Sequence, residues 1–354
     1  MRRLLALLAL SFAAACSADQ FVSADSGTDA GVADVVVPPD GGQPDAIGPD
    51  GGTVDSGPLG PQLVPGIPST VDLFGVWAVS GNDYWVVGTE NSQNNQGFAA
   101  HWTGNSFTKF SGVGPSPLRG VWGNAIGVMA AGDKDTNGFG TAVYYDKLAW
   151  TGLAQSNILG GKNVVSVWWD EAAPGEYTLQ TDGNIMARSQ SPFTSAIDIG
   201  GTQIPGNAAP CYAMHARYAA CAGGVFAPFG STPLVSNQSQ KLRSIHVSST
   251  TGPFFFVGGN GGLIGRYQNG AFQSYSGAPD EALEGIWSSA IGETVAVGTN
   301  GTIVGLTGAT ATPTVVSLPS PTQKNLHAVT AVGLTVNRTF IAVGDQGTVV
   351  TYHF

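Results

Sequence analysis

A five-residue phrase returns along most of this chain, and return at this spacing permits few folds. "LFGVW" ends at Trp77, "LRGVW" at Trp122, "VVSVW" at Trp168, "CYAMH" at His215, "LRSIH" at His246, "LEGIW" at Trp287 and "LHAVT" at Thr330. The steps between the fifth places are 45, 46, 47, 31, 41 and 43 residues. The third place is always small: Gly75, Gly120, Ser166, Ala213, Ser244, Gly285 and Ala328. A second landmark, a Gly opening a later apolar run, recurs as Gly97, Gly140, Gly183, Gly224, Gly262, Gly301 and Gly347. Seven units follow from both counts, the fourth being the most degenerate.

Between the landmarks lies a second run that usually ends in Gly, as in "VMAAG", "TVAVG" and "FIAVG". Most units add a fourth run, such as "SFTKF" or "AFQSY". A period near 40 with four short strands per unit is the pattern of a β-propeller blade. Composition agrees: 51 of 354 residues are Gly and 11% are charged, against roughly 7% and about 25% in average proteins. Such a chain favours strands joined by tight turns over helices. The last unit ends at "GTVVTYHF" with only three strands, whereas "PQLVPGIPSTVDLFGV" before the first unit matches "PTVVSLPSPTQKNLHAV" before the last. The expected fold is therefore all-β: a seven-bladed β-propeller of four-stranded antiparallel blades over residues 61–354. Residues near Pro61 to Pro65 are expected to supply the missing outer strand, closing the ring without an unpaired edge.

These units resemble the YVTN- and BNR-like propeller repeats of bacterial surface proteins, and loosely those of WD40 proteins. The resemblance implies a fold and no single activity, since propellers carry unrelated functions. The Asp-box of sialidase-like propellers is absent, "VWWD" occurs once, and the Gly-Gly of "VGGNGG" does not repeat, so WD40 and kelch arrays proper are poor matches.

The opening "MRRLLALLALSFAAACSADQ" pairs Arg2 and Arg3 with an apolar run from Leu4 to Ala15. That is the layout of a secretory signal peptide over residues 1–15, and the run is too short to span a bilayer. Cys16, following Ala13-Ala14-Ala15, resembles the Cys of the bacterial lipobox, although Ala13 stands where that family usually has Leu, Val or Ile. The resemblance implies a lipidated Cys16, and Ser17 after it implies sorting to the outer membrane. Ordinary cleavage near Ala15 or Ala18 is the alternative. Residues 16–60 hold Asp every four to six positions among Gly, Pro and Ser, with no Lys or Arg. Too little apolar surface is present to offset the ordering entropy, so a disordered spacer is expected, reaching about 35–40 Å. The calcium-binding nonapeptide of β-rolls is absent from it.

From residue 61 onward the chain has 12 basic and 16 acidic residues, without a basic stripe, which argues against nucleic-acid binding. The fifth places Trp77, Trp122 and Trp287 either present aromatic faces to a ligand or wedge between blades; recurrence in every unit favours wedging. His215 and His246, in neighbouring units, fall short of a metal set, and no cofactor is expected. The second places vary chemically: Phe74, Arg119, Val165, Tyr212, Arg243, Glu284 and His327. Of these, Arg119, Tyr212, Arg243, Glu284 and His327 either contact a ligand or satisfy one another. Cys211 and Cys221 fall on adjacent strands with even spacing, and an exported compartment permits their disulfide. No Gly-x-Ser-x-Gly, HExxH or P-loop occurs. The expectation is a monomeric, outer-membrane-anchored lipoprotein that binds an envelope protein or glycan without catalysis and touches the membrane only through its lipid. A propeller lyase or hydrolase with its site over the channel is the alternative, and a purely structural envelope component is a third.

Overall fold

The computed structural model describes residues 60–353, apart from 92–94, 125–126, 153–162, 170–175, 182–183, 190–196, 204–209, 217, 228–231, 237–241, 250–253, 308–312 and 334–337. Cys16, the leader and the acidic segment lie outside the described residues. What is described is an all-β propeller of four-stranded antiparallel blades, with two 3-10 turns, Thr299–Gly301 and Asp345–Gly347, as its helical elements. No helix among the described residues is long and apolar enough to cross a membrane.

Strand pairing gives seven four-stranded sheets. Their first strands, in chain order, are Val71–Ser80, Leu118–Gly123, Val164–Trp169, Cys211–His215, Leu242–Ser249, Leu283–Ser288 and Leu326–Val332. Each first strand touches the next, and the first strand of the last sheet touches that of the first. The last sheet takes its fourth strand from Gln62–Leu63, which pairs antiparallel with Thr351 and Val350. Val64 N–H donates to Val349 O at 2.9 Å, and Val64 and Ile67 pack on the apolar cluster shared by the last and first sheets.

Small third places follow from how closely the first strands approach. A Cβ on Gly75 would lie 3.1 Å from Arg119 O, one on Gly120 3.1 Å from Ser166 Cα, and one on Gly285 2.8 Å from Ala328 Cα. Gly at the end of the second strand has a different cause. A Cβ on Gly132 would sit 1.9 Å from Pro117 O, and one on Gly344 1.8 Å from Asn325 O. Those same carbonyls accept N–H bonds from Asp133 (2.9 Å) and Asp345 (3.0 Å), so the turn into the first strand is stitched to the second.

The core is a series of wedges between adjacent sheets. Trp85, Val87 and Ala99 of the first sheet meet Leu118, Val121, Val128, Ala130 and Val143 of the second. Val295, Val297 and Ile303 of the sixth meet Leu326, Phe340, Ala342 and Val350 of the seventh. The second strands of the first, second and seventh sheets are buried on both faces, which is why "YWVV", "VMAA" and "FIAV" read as unbroken apolar runs. Each fully buried side chain of Leu or Phe size stabilises the fold by about 2–3 kcal/mol.

Four glycines of the second landmark fall into two cases. Gly301 (φ 70°) and Gly347 (φ 68°) are left-handed turn residues, as hairpin turns require. Gly97 and Gly140 instead lie within third strands and have no positive φ. Gly97 is small because Ser116 O would come within 2.9 Å of its Cβ.

Candidate functional site: a belt of bulged residues

Every first strand slips in register with its second strand at one shared place near its start; Val71–Ser80 and Leu242–Ser249 slip once more near their ends. The shared slip falls between Leu73 and Gly75, Leu118 and Gly120, Val164 and Ser166, Cys211 and Ala213, Leu242 and Ser244, Leu283 and Gly285, and Leu326 and Ala328. The skipped residue is the second place each time: Phe74, Arg119, Val165, Tyr212, Arg243, Glu284 and His327. A bulge of this kind re-aims one side chain out of the pleat. The first-place residues before them are buried, from Leu73 at 0% exposure to Cys211 at 2%. All seven bulged residues are half-buried. They stand at the end where the first strands begin, the end that also carries the hairpins between second and third strands.

Contacts join them across sheet boundaries. The Arg119 guanidinium lies 4.2 Å from the Phe74 ring centroid, and the Phe74 and His327 rings are 5.3 Å apart. His327 Nδ1 bonds to Glu284 Oε2, and its Nε2 to Asp345 Oδ1 at 2.6 Å. Burial opposes charge on His327, but the hydrogen bonds and charges of Glu284 and Asp345 prevail and raise its pKa above the ordinary value. Thus Glu284, His327, Phe74 and Arg119 form one arc over four sheets. Tyr212 and Arg243 form a shorter arc, with the guanidinium 4.9 Å from the ring centroid.

Three of the bulged residues find a partner at one repeated position, the residue after the second-strand Gly. Arg119 Nε and Nη2 donate to Asp133 Oδ2 at 3.2 and 2.7 Å; Arg243 Nε donates to Asn260 Oδ1 at 3.1 Å; His327 bonds Asp345. Sequence reasoning missed this position. Asp133 lies in the strand Val128–Lys134, and Asn260 and Asp345 carry no motif. The one signal is a polar residue directly after the Gly in units whose second place is charged.

The fifth places behave differently. Trp77 packs over Gly123 of the next sheet and joins the wedge between the first two sheets, while Trp122 and Trp287 pack on the wedges beyond theirs. Arg338 lies over the Trp287 ring at 4.8 Å. His215 and His246 do meet, with ring centroids 4.1 Å apart. Burial pushes the His215 pKa down to about 4, and burial together with His215 pushes His246 well below its ordinary value. His215 Nδ1 accepts the Val247 N–H at 3.1 Å, so in the neutral ring the proton sits on Nε2 and that nitrogen offers no lone pair to a metal. No metal-ligating group of three or more His, Cys, Asp or Glu occurs among the described residues. Trp77, Trp122 and Trp287 therefore lie apart from the belt formed by Arg119, Tyr212, Arg243, Glu284 and His327.

Cys211 and Cys221 face each other across the first two strands of the fourth sheet and are joined by a disulfide with an S–S distance of 2.01 Å. The bond anchors the strand whose bulge presents Tyr212.

Ring adjacency, blade topology and the belt define the class: a β-propeller with a chemically mixed ring of side chains at one end. No family model and no curated protein matches the sequence. In fold the chain is similar to the WD40 β-propeller domain of Doa1, with TM-score 0.61 and 15% identity over 83% of this chain and 97% of that one. It is also similar to YCF48 from Cyanidioschyzon merolae, with TM-score 0.63 and 13% identity over 83% of this chain and 99% of that one. YCF48 bound to a D1 peptide gives TM-score 0.58 and 12% identity over 84% and 98%. At these identities the likeness is one of fold.

Proposed function

We propose that this protein is a non-enzymatic binding module that takes a protein segment across the belt. The carrying observation is the bulge at the same place in all seven first strands, which sets aromatic, cationic and anionic groups side by side at one end of the fold. In this reading the seven sheets are the blades of one ring, and Gln62–Leu63 is the strand that closes it. The proposal extends to the setting: export by the leader, a lipid on Cys16 at the outer membrane, and residues 16–60 as the spacer that frees one propeller end for an envelope partner.

Three observations support a protein segment. A similar propeller, YCF48, has been seen with a peptide bound. A glycan would call for open aromatic faces, yet the Trp residues are wedged between sheets, and guanidinium groups cover one face each of Phe74 and Tyr212. His327, the one imidazole of the belt, has both ring nitrogens bonded to carboxylates and so offers neither to a substrate as acid or base.

Selection of random heptapeptides on the full chain, followed by titration against Tyr212→Ala and Arg119→Ala, tests the reading. Selected peptides should lose at least tenfold in affinity for the variants. Peptides that bind the variants as well as the wild type would overturn it, as would a selection that enriches nothing.

A further inference from the structure

The belt contains two guanidinium groups and one imidazole, and they are not equivalent. Arg119 is neutralised by Asp133, which its Nε and Nη2 both reach. His327 lies between two carboxylates. Arg243 alone among them has no carboxylate partner among the described residues: its Nε is bonded to the neutral Asn260, and its guanidinium rests over Tyr212.

The geometry points to Arg243 as the anchor for a carboxylate of the bound segment, so that the partner is an acidic peptide. This rests on the peptide-binding reading above and names its chemistry. Asn260 holds Nε, and Tyr212 supports the guanidinium from one side, so the plane of the group is fixed before a ligand arrives. Neither Nη amine has an acceptor among the described residues, and a planar fork of that kind matches the two oxygens of a carboxylate. A bulge places it half-buried at the start of its strand, where a charge-assisted bond is screened less than on an open surface.

The surroundings select the charge of the ligand. The next second place is Glu284, which His327 links to Asp345, and the neighbouring Gln346 N–H donates to Asp72. Asp72 accepts from Asn91 Nδ2 at 2.6 Å and Gln346 N at 2.9 Å, and no cation among the described residues pairs with it. One guanidinium, with carboxylates further round the belt, offsets a singly charged anion better than a phosphate dianion. The same carboxylates favour a donor-rich or basic group on the ligand over the sixth, seventh and first sheets. That side opens into a hollow of about 500 Å³ lined by Ser69, Thr70, Asp72, Asn91, Asp345 and Gln346.

The test uses heptapeptides selected on the full wild-type chain, each synthesised with its carboxylates intact and with each in turn replaced by the isosteric amide. Wild-type protein should bind the form lacking the key carboxylate roughly ten- to a hundredfold more weakly, as loss of a hydrogen-bonded charge predicts. Arg243→Gln should bind both forms alike at the weaker level, Arg243→Lys should recover part of the difference, and Arg119→Gln should keep discriminating. Equal binding of acid and amide forms by the wild type would overturn the Arg243 assignment. If Tyr212→Ala still abolished that binding, the peptide-binding reading would survive. Peptides indifferent to Tyr212→Ala, or a selection that enriches none, would overturn both.

Discussion

Second and fifth places lie three residues apart on the same strand, yet they face opposite demands. At the second place a bulge lifts the side chain out of the pleat, and Phe, Arg, Val, Tyr, Glu and His all occur there. At the fifth place the strand is again regular, its side chain fills space between sheets, and Trp or His predominates. One inner strand thus carries a variable position and a filled one. A surface can change its chemistry without disturbing the packing beneath it when a backbone irregularity, rather than a loop, presents it.

The largest effect should come from the Gly that lets the bulge region close. Gly344→Ala puts a methyl group 1.8 Å from Asn325 O, a backbone atom that cannot yield. We expect a loss of about 4 kcal/mol or more, seen as failure to fold or a collapsed denaturation midpoint. A mild effect would mean that the second-place level tolerates more movement than its geometry suggests. Next, Trp77→Ala removes a wedge between two sheets and should cost about 3 kcal/mol in chemical denaturation, while leaving peptide affinity within twofold.

The two levels also contain histidines with opposite shifts, and the pH dependence of stability should separate them. His327 has a raised pKa when folded, so its contribution is complete below its unfolded value of about 6.5 and fades as pH rises through the folded value. His215, pushed down to about 4, contributes fully above about 6.5 and loses that contribution as pH falls toward the folded value. The difference in stability between wild type and His327→Gln should therefore shrink on the alkaline side. For His215→Asn it should shrink on the acid side. Parallel profiles for the two variants would contradict the contrast. The smallest stability effect belongs to Arg119→Ala, whose side chain is 37% exposed. It should cost about 1 kcal/mol in thermal unfolding, yet weaken peptide binding.

Much of the fold was legible because packing imposes the same residue at the same place in each unit. Third-place Gly75, Gly120 and Gly285 are small since a neighbouring first strand passes within about 3 Å of where a Cβ would stand, and repetition of that constraint makes the period visible. The belt was half legible. Variation at the second place marked Arg119, Tyr212, Arg243, Glu284 and His327, but the bulge that unites them is a matter of register. Asp133, Asn260 and Asp345 escaped notice because each lies 14 to 18 residues from its partner, and only the antiparallel pairing brings them together. Gly97 shows the converse: the right residue for a hairpin turn, here required by close packing inside a strand.

Hydrogen–deuterium exchange on the full chain, with and without a selected peptide, tests the central claim most directly. The account predicts protection confined to the beginnings of the first strands, around Phe74, Arg119, Tyr212, Arg243, Glu284 and His327, and to the adjoining second–third hairpins. Protection at the opposite end, around Trp77, Trp122 and Trp287, with the belt unchanged, would contradict it.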